Sequence, residues 1–274
     1  MKKRLGLCSI VVMLLAVSTT ATAGVVVSWD SPNQRGGDLY SAGTSDYGYS
    51  ALEAGLLARG HTVLPGLSTL TSGALTGVDL FFHGTSSHVL TASEASAIGE
   101  FVRGGGCVLL EADTVSSEQQ SANGLLSALG LGSLFNGATG GGQSATAGSF
   151  TSNATWATVG PLGDLRGLTF GVTLAADLDL GAGTLVGRNG AIDMIVEFQP
   201  YGDSGGRVLA VGDPFGFNMF QAVGRGYYNP NNQAAYINFF ENQLGQPVVP
   251  APAAVLLCTL GTGVVGWLRR RRTL

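Results

Sequence analysis

The chain has 274 residues, of which 45% are hydrophobic and 12% are charged. Residues 24–250 contain seven arginines, 18 acidic residues and no lysine, which gives this stretch a net charge near −11. An acidic surface without lysine repels phosphate backbones, so we expect no nucleic-acid partner. The same stretch holds a single cysteine, Cys107, so hydrophobic burial rather than an internal disulfide must stabilise its fold.

The first 23 residues have the pattern of a signal peptide. A basic start is followed by an apolar stretch over residues 5–17 and then by small and polar residues. Ala21 and Ala23 match the small-residue pattern that signal peptidase recognises, so the mature chain is predicted to begin at Gly24. An uncleaved membrane anchor is the alternative, although the apolar stretch is short for spanning a bilayer.

Strand-like and helix-like segments alternate between residues 24 and 244. Predicted strands cover residues 25–29, 61–64, 78–82, 107–110, 168–174, 184–187, 192–198 and 207–213, and predicted helices cover 49–59, 91–103, 117–129 and 232–244. Residues 136–160 are rich in small and polar residues and predict a long loop or hairpin. The alternation predicts an α/β domain with a doubly wound, mostly parallel sheet and a β-rich insertion.

Four segments of this domain resemble the class I glutamine amidotransferase-like superfamily: residues 77–84, 101–106, 107–113 and 206–213. The resemblance implies a flavodoxin-like α/β fold over residues 24–244. In that family a catalytic cysteine occupies the turn after the strand that here begins at Cys107. This chain has Glu111-Ala112-Asp113 at the turn, without a thiol or hydroxyl. We therefore expect no amidotransferase activity and no catalytic residue, with Cys107 buried and inert.

Acidic pairs are the other candidates for chemistry. Asp177 and Asp179 are two residues apart, as are Glu111 and Asp113, so each pair lies on one side of an extended chain. A calcium loop needs more oxygen ligands and a defined glycine. We interpret both pairs as solvated acids and expect neither a bound metal nor a cofactor.

A ligand crevice is predicted at the carboxyl ends of the parallel strands, where open α/β sheets bind their ligands. An aromatic ring with several carboxylates and hydroxyls there favours a carbohydrate ligand. The residues placed at this edge by the strand assignment are Trp29, Asp30, His83, Ser86, Glu111, Asp113 and Asp213.

Two functions remain open for the domain at this point. It is either a non-catalytic module that binds exopolysaccharide or a protein partner, or a hydrolase of cell-surface glycans or esters that uses Glu111 and Asp113. A triad assembled from Ser86 or Ser87, His83 or His88, and Asp113 arises easily by chance in a serine-rich chain without a nucleophile-elbow motif.

The C-terminal segment has three parts that follow the linker at residues 245–250. The motif is Val249-Pro250-Ala251-Pro252, in which each proline favours an extended backbone. Residues 251–268 carry no charge and predict a transmembrane helix. The positive-inside rule predicts a cytoplasmic end for the basic residues that follow, which are Arg269, Arg270, Arg271 and Arg272.

This order of motif, helix and basic cluster over residues 249–274 resembles the PEP-CTERM sorting signal, with Ala251 in place of the family's glutamate. The resemblance implies that an exosortase is a partner and cleaves near the motif. The domain would first be anchored in the inner membrane, outside the cytoplasm, and would then reach the cell surface or extracellular matrix. An ordinary C-terminal membrane anchor is the alternative.

Overall fold

The computed structural model describes residues 23–29, 38–40, 44–132, 134–138, 146–160, 162–173, 175–201, 205–218 and 229–245. The residues predicted to form the signal peptide up to position 22, and the whole predicted sorting segment, lie outside these ranges. Within them, no helix is both long enough and apolar enough to cross a bilayer.

Eleven strands and five helices are formed by the described residues. The strands are β1 Val25–Trp29, β2 Thr62–Leu67, β3 Leu80–His83, β4 Cys107–Glu111, β5 Phe135–Ala138, β6 Thr146–Phe150, β7 Thr169–Val172, β8 Ala176–Leu178, β9 Thr184–Asn189, β10 Ile192–Tyr201 and β11 Gly206–Val211. The helices are α1 Ser50–Ala58, α2 Ala92–Arg103, α3 Ser116–Ala128, α4 Thr155–Val159 and α5 Pro230–Gly245.

Nine of these strands form one sheet in the order β2-β1-β3-β4-β11-β10-β9-β6-β7. The first five are parallel, and their order is the flavodoxin-like 2-1-3-4-5 arrangement. From β11 onward each strand is antiparallel to its neighbour. The predicted β-rich insertion is therefore a continuation of the main sheet, and only β5 and β8 pair separately as a small antiparallel sheet.

Helices cover both faces of the parallel strands, as the doubly wound prediction requires. One hydrophobic cluster contains residues of α1, α4 and α5, and the other contains residues of α2 and α3. The strands between them are buried along their whole length in β3, β4 and β11, which explains their continuous apolar sequences. Successive side chains in each strand therefore alternate between the two clusters.

The boundaries of α2 agree with the capping pattern in the sequence. The Thr91 hydroxyl accepts the amide of Glu94, and the Glu94 carboxylate accepts the amide of Thr91 at 2.8 Å. This reciprocal capping box satisfies two amides that the first turn of the helix leaves unpaired.

Residues 136–160 differ from the prediction of a long loop or hairpin, because β5 pairs with β8 and β6 pairs with β7 and β9. They include β6 and α4, and residues 139–145 between β5 and β6 lie outside the described ranges. β6 is anchored between β7 and β9 of the main sheet. Tertiary pairing, which a glycine-rich sequence does not reveal, gives this segment its strand structure.

We predict opposite effects of alanine at two glycines. Gly206 begins β11, and a Cβ there would overlap the backbone carbonyl of Val102, whereas a Cβ at Gly124 in α3 would meet no atom within 4 Å. Gly206→Ala should lower the free energy of unfolding by about 1–3 kcal/mol through overpacking. Gly124→Ala should raise it by about 0.5–1 kcal/mol, because alanine is the better helix former. Urea titration of both variants measures whether the free energy of unfolding falls or rises. Equal effects of the two substitutions would contradict the packing at Gly206.

Candidate functional site

The carboxyl edge of the parallel strands holds most of the residues predicted to form a crevice, but strand alternation separates them. Glu111 ends β4 on the face covered by α1 and α5, where it contacts Tyr49, the residue before α1, and Tyr236 of α5. His83 ends β3 on the other face, where it contacts α3. Asp30 lies outside the described residues. The remaining predicted residues therefore do not form one crevice.

Glu111 is fully buried and is the centre of a hydrogen-bond network. Its Oε1 accepts the Tyr236 hydroxyl of α5 at 2.5 Å and the Gly216 amide at 2.7 Å. Its Oε2 lies 3.2 Å from the Tyr49 hydroxyl, which in turn lies 3.4 Å from the Thr85 hydroxyl. The carboxyl group thus joins β4 to the residue preceding α1, to the segment after β11 and to α5.

Burial raises the pKa of Glu111 to about 7, although hydrogen bonds from Tyr236, Gly216 and Tyr49 act in the opposite direction. The charge of Glu118 adds to the increase. Burial and the neighbouring Glu111 also raise the pKa of both tyrosines, so their hydroxyls stay protonated and remain donors. The prediction of a solvated acid at Glu111 is therefore wrong, because the carboxyl group has exchanged water for three protein donors.

His83 belongs to a second buried group on the opposite face. Its Nε2 lies 3.3 Å from the hydroxyl of Ser121 in α3, and that hydroxyl donates to the His88 carbonyl. A hydroxyl has one hydrogen, so Nε2 of His83 must carry the proton and act as the donor. Burial lowers the pKa of His83 to about 4, which keeps the ring neutral. A serine nucleophile requires the reverse arrangement, with the histidine accepting the proton.

Trp29 does not offer a ring to a sugar. It is 1% exposed and packs edge-on against Phe81, with its centroid 6.3 Å away, and against the ring of His88 at 4.8 Å. The prediction of Trp29 as a stacking residue is wrong because the residue points into the cluster beneath α2 and α3. Ser86 is also buried, and its hydroxyl accepts the amide of His88 at 3.2 Å.

The remaining acids of the predicted site serve separate parts of the fold. Asp213 is buried and accepts the amide of Thr173 at 3.0 Å, which ties the end of β11 to the insertion. Asp113 is 5% exposed and accepts the amide of Thr114 at 2.6 Å, so it is not a solvated acid either. Asp177 is partly buried and accepts the amide of Asp193 at 3.1 Å, whereas Asp179 is exposed.

Neither thiol chemistry nor metal binding is indicated among the described residues. Cys107 is fully buried at the start of β4, where burial raises the pKa of its thiol well above the ordinary value. Burial of this cysteine was predicted from its apolar surroundings and is confirmed. Among the ranges that the structure describes, no group of three or more His, Cys, Asp or Glu side chains could hold a metal ion.

The sequence does not reveal the residues that complete the Glu111 network or the aromatic rings that are exposed at the carboxyl edge. Tyr236 is 125 positions from Glu111 and Gly216 is 105 positions away, so no local pattern connects them. Tyr40 and Tyr47 lie in the connection between β1 and α1 and are 51% and 53% exposed. The sequence signal available for Tyr40 and Tyr47 was their position in a polar, glycine-rich loop.

No protein-family model and no curated protein matches the chain. Among solved structures, the mmIFT52 N-terminal domain superposes with a TM-score of 0.60 and 13% identity, covering 82% of this chain and 98% of that domain. A β-galactosidase from Rahnella sp. R3 gives a TM-score of 0.51 at 12% identity over 83% of this chain, which matches only 32% of the enzyme. A ThuA-like protein from Parabacteroides merdae ATCC 43184 gives 0.50 at 10% identity, covering 83% and 92% of the two chains. These likenesses show the fold alone.

We predict that Glu111 makes the protein less stable as the pH rises. Its pKa is raised from 4.5 to about 7 on folding, so its contribution is fully present below pH 4.5 and is lost as the pH rises through 7. The loss amounts to about 3–4 kcal/mol at most, from about 1.4 kcal/mol per pKa unit. Glu111→Gln keeps the shape without the charge and should remove this component. Urea titrations between pH 4 and 8 measure the difference between the two proteins.

The control for this experiment is Asp164→Asn. Asp164 is exposed, and Arg166 lowers its pKa, so its charge does not change between pH 5 and 8. The low pKa of His83 makes the folded protein more stable as the pH rises, but it does so equally in the wild type and in both variants. Parallel pH profiles for wild type and Glu111→Gln would contradict a buried, proton-binding Glu111.

Proposed function

We propose that this chain is an exported surface protein, processed by signal peptidase and an exosortase, whose α/β domain binds exopolysaccharide without catalysing a reaction. The sequence features at both ends support export and sorting. The proposal includes the resemblance of the domain to the amidotransferase-like superfamily, specifically to its non-catalytic members. The single observation that carries the non-catalytic role is the enclosure of Glu111 at the end of β4, beside the turn where the resemblance implies a nucleophile in those enzymes.

The enclosure of Glu111 argues against catalysis for a physical reason. A general acid or nucleophile must reach the substrate, but both oxygens of Glu111 face Tyr49, Tyr236 and the Gly216 amide. Gly216 has no side chain, and a Cβ there would press on the Tyr49 ring, so the segment lies directly against the network. A hydrolase that used Glu111 with Asp113 is less well supported, since Asp113 engages the turn before α3.

Tyr40 and Tyr47, which are exposed at the carboxyl edge of the sheet, support sugar binding better than the buried Trp29 does. Leu39 is fully buried and its amide donates to the Ser28 hydroxyl at 2.8 Å, which fixes the chain beside Tyr40. Asn218 donates to the Ser45 carbonyl at 2.8 Å, which holds the turn that carries Tyr47. Exposed rings on a fixed backbone suit stacking on a pyranose, because little conformational freedom is lost on binding.

We predict that a Tyr40→Ala, Tyr47→Ala double variant binds exopolysaccharide at least about tenfold more weakly, which corresponds to about 1.4 kcal/mol. The loss follows from removing two exposed aromatic faces, and the corresponding double Phe variant should retain most of the binding. Calorimetric titration with purified surface polysaccharide measures the affinities. Leu57→Ala, at a residue 49% exposed near the C-terminal end of α1, is the matched control and should be neutral. Absence of polysaccharide binding by the wild type would contradict the binding role.

We predict that Pro250→Ala, Pro252→Ala blocks removal of the C-terminal segment. The substitutions remove the two fixed φ angles that keep the motif extended for the processing enzyme. Intact-mass measurement of membrane and extracellular fractions from a host that carries an exosortase distinguishes the two forms. Pro247→Ala, two residues before the motif, should be processed normally. A wild-type protein found in the cytosol with both ends intact would refute export and sorting together.

A further inference from the structure

A third buried polar group lies at the amino edge of the sheet, away from the carboxyl edge. The backbone N–H of Gly24 donates to Nδ1 of His61 at 3.1 Å, and Nε2 of the same ring lies 3.1 Å from Oε1 of Glu241 in α5. Arg59 holds this carboxylate with Nε and with Nη2, the latter 2.6 Å from Oε2. The side chain of His61 is completely buried, and that of Glu241 is 8% exposed.

We call the hydrogen-bonded set of Gly24, His61 and Glu241 the relay. Its backbone donor, Gly24, is the residue predicted to become the first of the mature chain. Ala23 is exposed and Gly24 is buried, so the predicted cleavage bond crosses the protein surface. A Cβ on Gly24 would overlap Phe240 and Leu244, and its carbonyl accepts the amide of Thr62 at 2.9 Å. The fold thus encloses Gly24 on all sides except the one from which Ala23 emerges.

We propose that the α-amino group of Gly24, freed by cleavage after Ala23, docks onto the His61–Glu241 pair and completes the folded domain. The inference rests on the proposed export, because signal peptidase must make the cut. Hydrolysis adds one water to the Ala23–Gly24 peptide bond, leaving a carboxylate on Ala23 and an amino group on Gly24. The relay is thereby a binding site for the processed N terminus of the chain itself.

The charges around Gly24 suit an ammonium group. Since Gly24 donates to Nδ1, the proton of the neutral His61 ring is on Nε2 and is donated to Glu241. Burial would raise the pKa of Glu241, but hydrogen bonds and charge from Arg59, together with His61, lower it, so this carboxylate is ionised. Asp79 supplies a second carboxylate next to the terminus, accepting the amide of Val25 at 2.8 Å. Charge-assisted hydrogen bonds of this kind are about twice as strong as neutral ones.

Burial of Gly24 also sets the order of events. A protease needs its cleavage segment exposed and extended, whereas here the residue after the cut is already paired with β2. Cleavage therefore precedes the docking of β1 into the sheet. The freed amine then enters the relay as the strand forms.

Amine labelling tests the proposal at a single site, because residues 24–274 contain no lysine. After cleavage the Gly24 α-amino group is the only primary amine of the chain, so an amine-reactive acetylating ester adds at most one acetyl group. Protein exported and purified from cells is labelled with and without urea, and its mass is followed over time. We expect labelling of the native protein to be at least about tenfold slower than in urea, as for a group stabilised by about 1.4 kcal/mol.

Glu241→Gln provides the specific variant, because it keeps the side-chain shape and removes the charge that the relay directs at the amine. Labelling of native Glu241→Gln should be faster than that of the wild type. His88→Gln, which removes the His88–Glu94 pair elsewhere in the fold, should label at the wild-type rate. Urea titration of each variant confirms that the labelled state is folded.

Each outcome of the experiment decides the inference. A mature chain that starts at Gly24, is protected in the native state and is exposed by Glu241→Gln supports it. A chain that starts at Gly24 but labels equally fast with and without urea, or whose two variants label alike, refutes the docked amine and leaves export standing. A chain cleaved at another bond also refutes the docked amine and leaves export standing. An intact leader on the purified protein contradicts both the inference and the proposed export.

Discussion

The buried carboxyl group of Glu111 is the constraint on which the carboxyl half of the structure depends. It ends β4 and binds groups that are 62, 105 and 125 positions away in the chain. A buried carboxyl group without partners would be strongly destabilising, so β4, α1, α5 and the segment after β11 can pack only when these partners are in place.

Two buried acids at opposite edges of the sheet show how partners decide protonation. Glu111 meets neutral donors and the charge of Glu118, so burial dominates and the pKa rises. Glu241 meets the Arg59 guanidinium, so the pKa falls despite burial. The neutral acid acts as an internal connector, whereas the ionised one retains charge that can hold a cation. The carboxyl edge of the sheet therefore holds a neutral connecting acid, and the amino edge holds an ionised acid.

The sequence predicted the parallel half of the fold well because its signals are local. Continuous apolar strands and the Thr91–Glu94 capping box identify β1, β3, β4, β11 and α2 to within a few residues. Three antiparallel strands, β7, β9 and β10, were also predicted, but β6 was not, since it is a strand only by pairing with β7 and β9. That these strands continue the main sheet was not predicted either. The candidate site was predicted as one crevice, but period-two alternation sends Glu111 and His83 to opposite faces. Burial of Glu111 depends on Tyr236 and Gly216, whose proximity no spacing in the sequence reveals.

We infer that Glu111 is an enclosed, proton-binding connector and not a reactive acid. Carbon-13 NMR of the side-chain carboxyl groups measures this directly as the pH is changed, with Glu111→Gln identifying the resonance that belongs to Glu111. We expect this carboxyl group to titrate with a midpoint of about 7 in the folded protein. A midpoint near the ordinary value of 4.5 would place the group in water and contradict its enclosure.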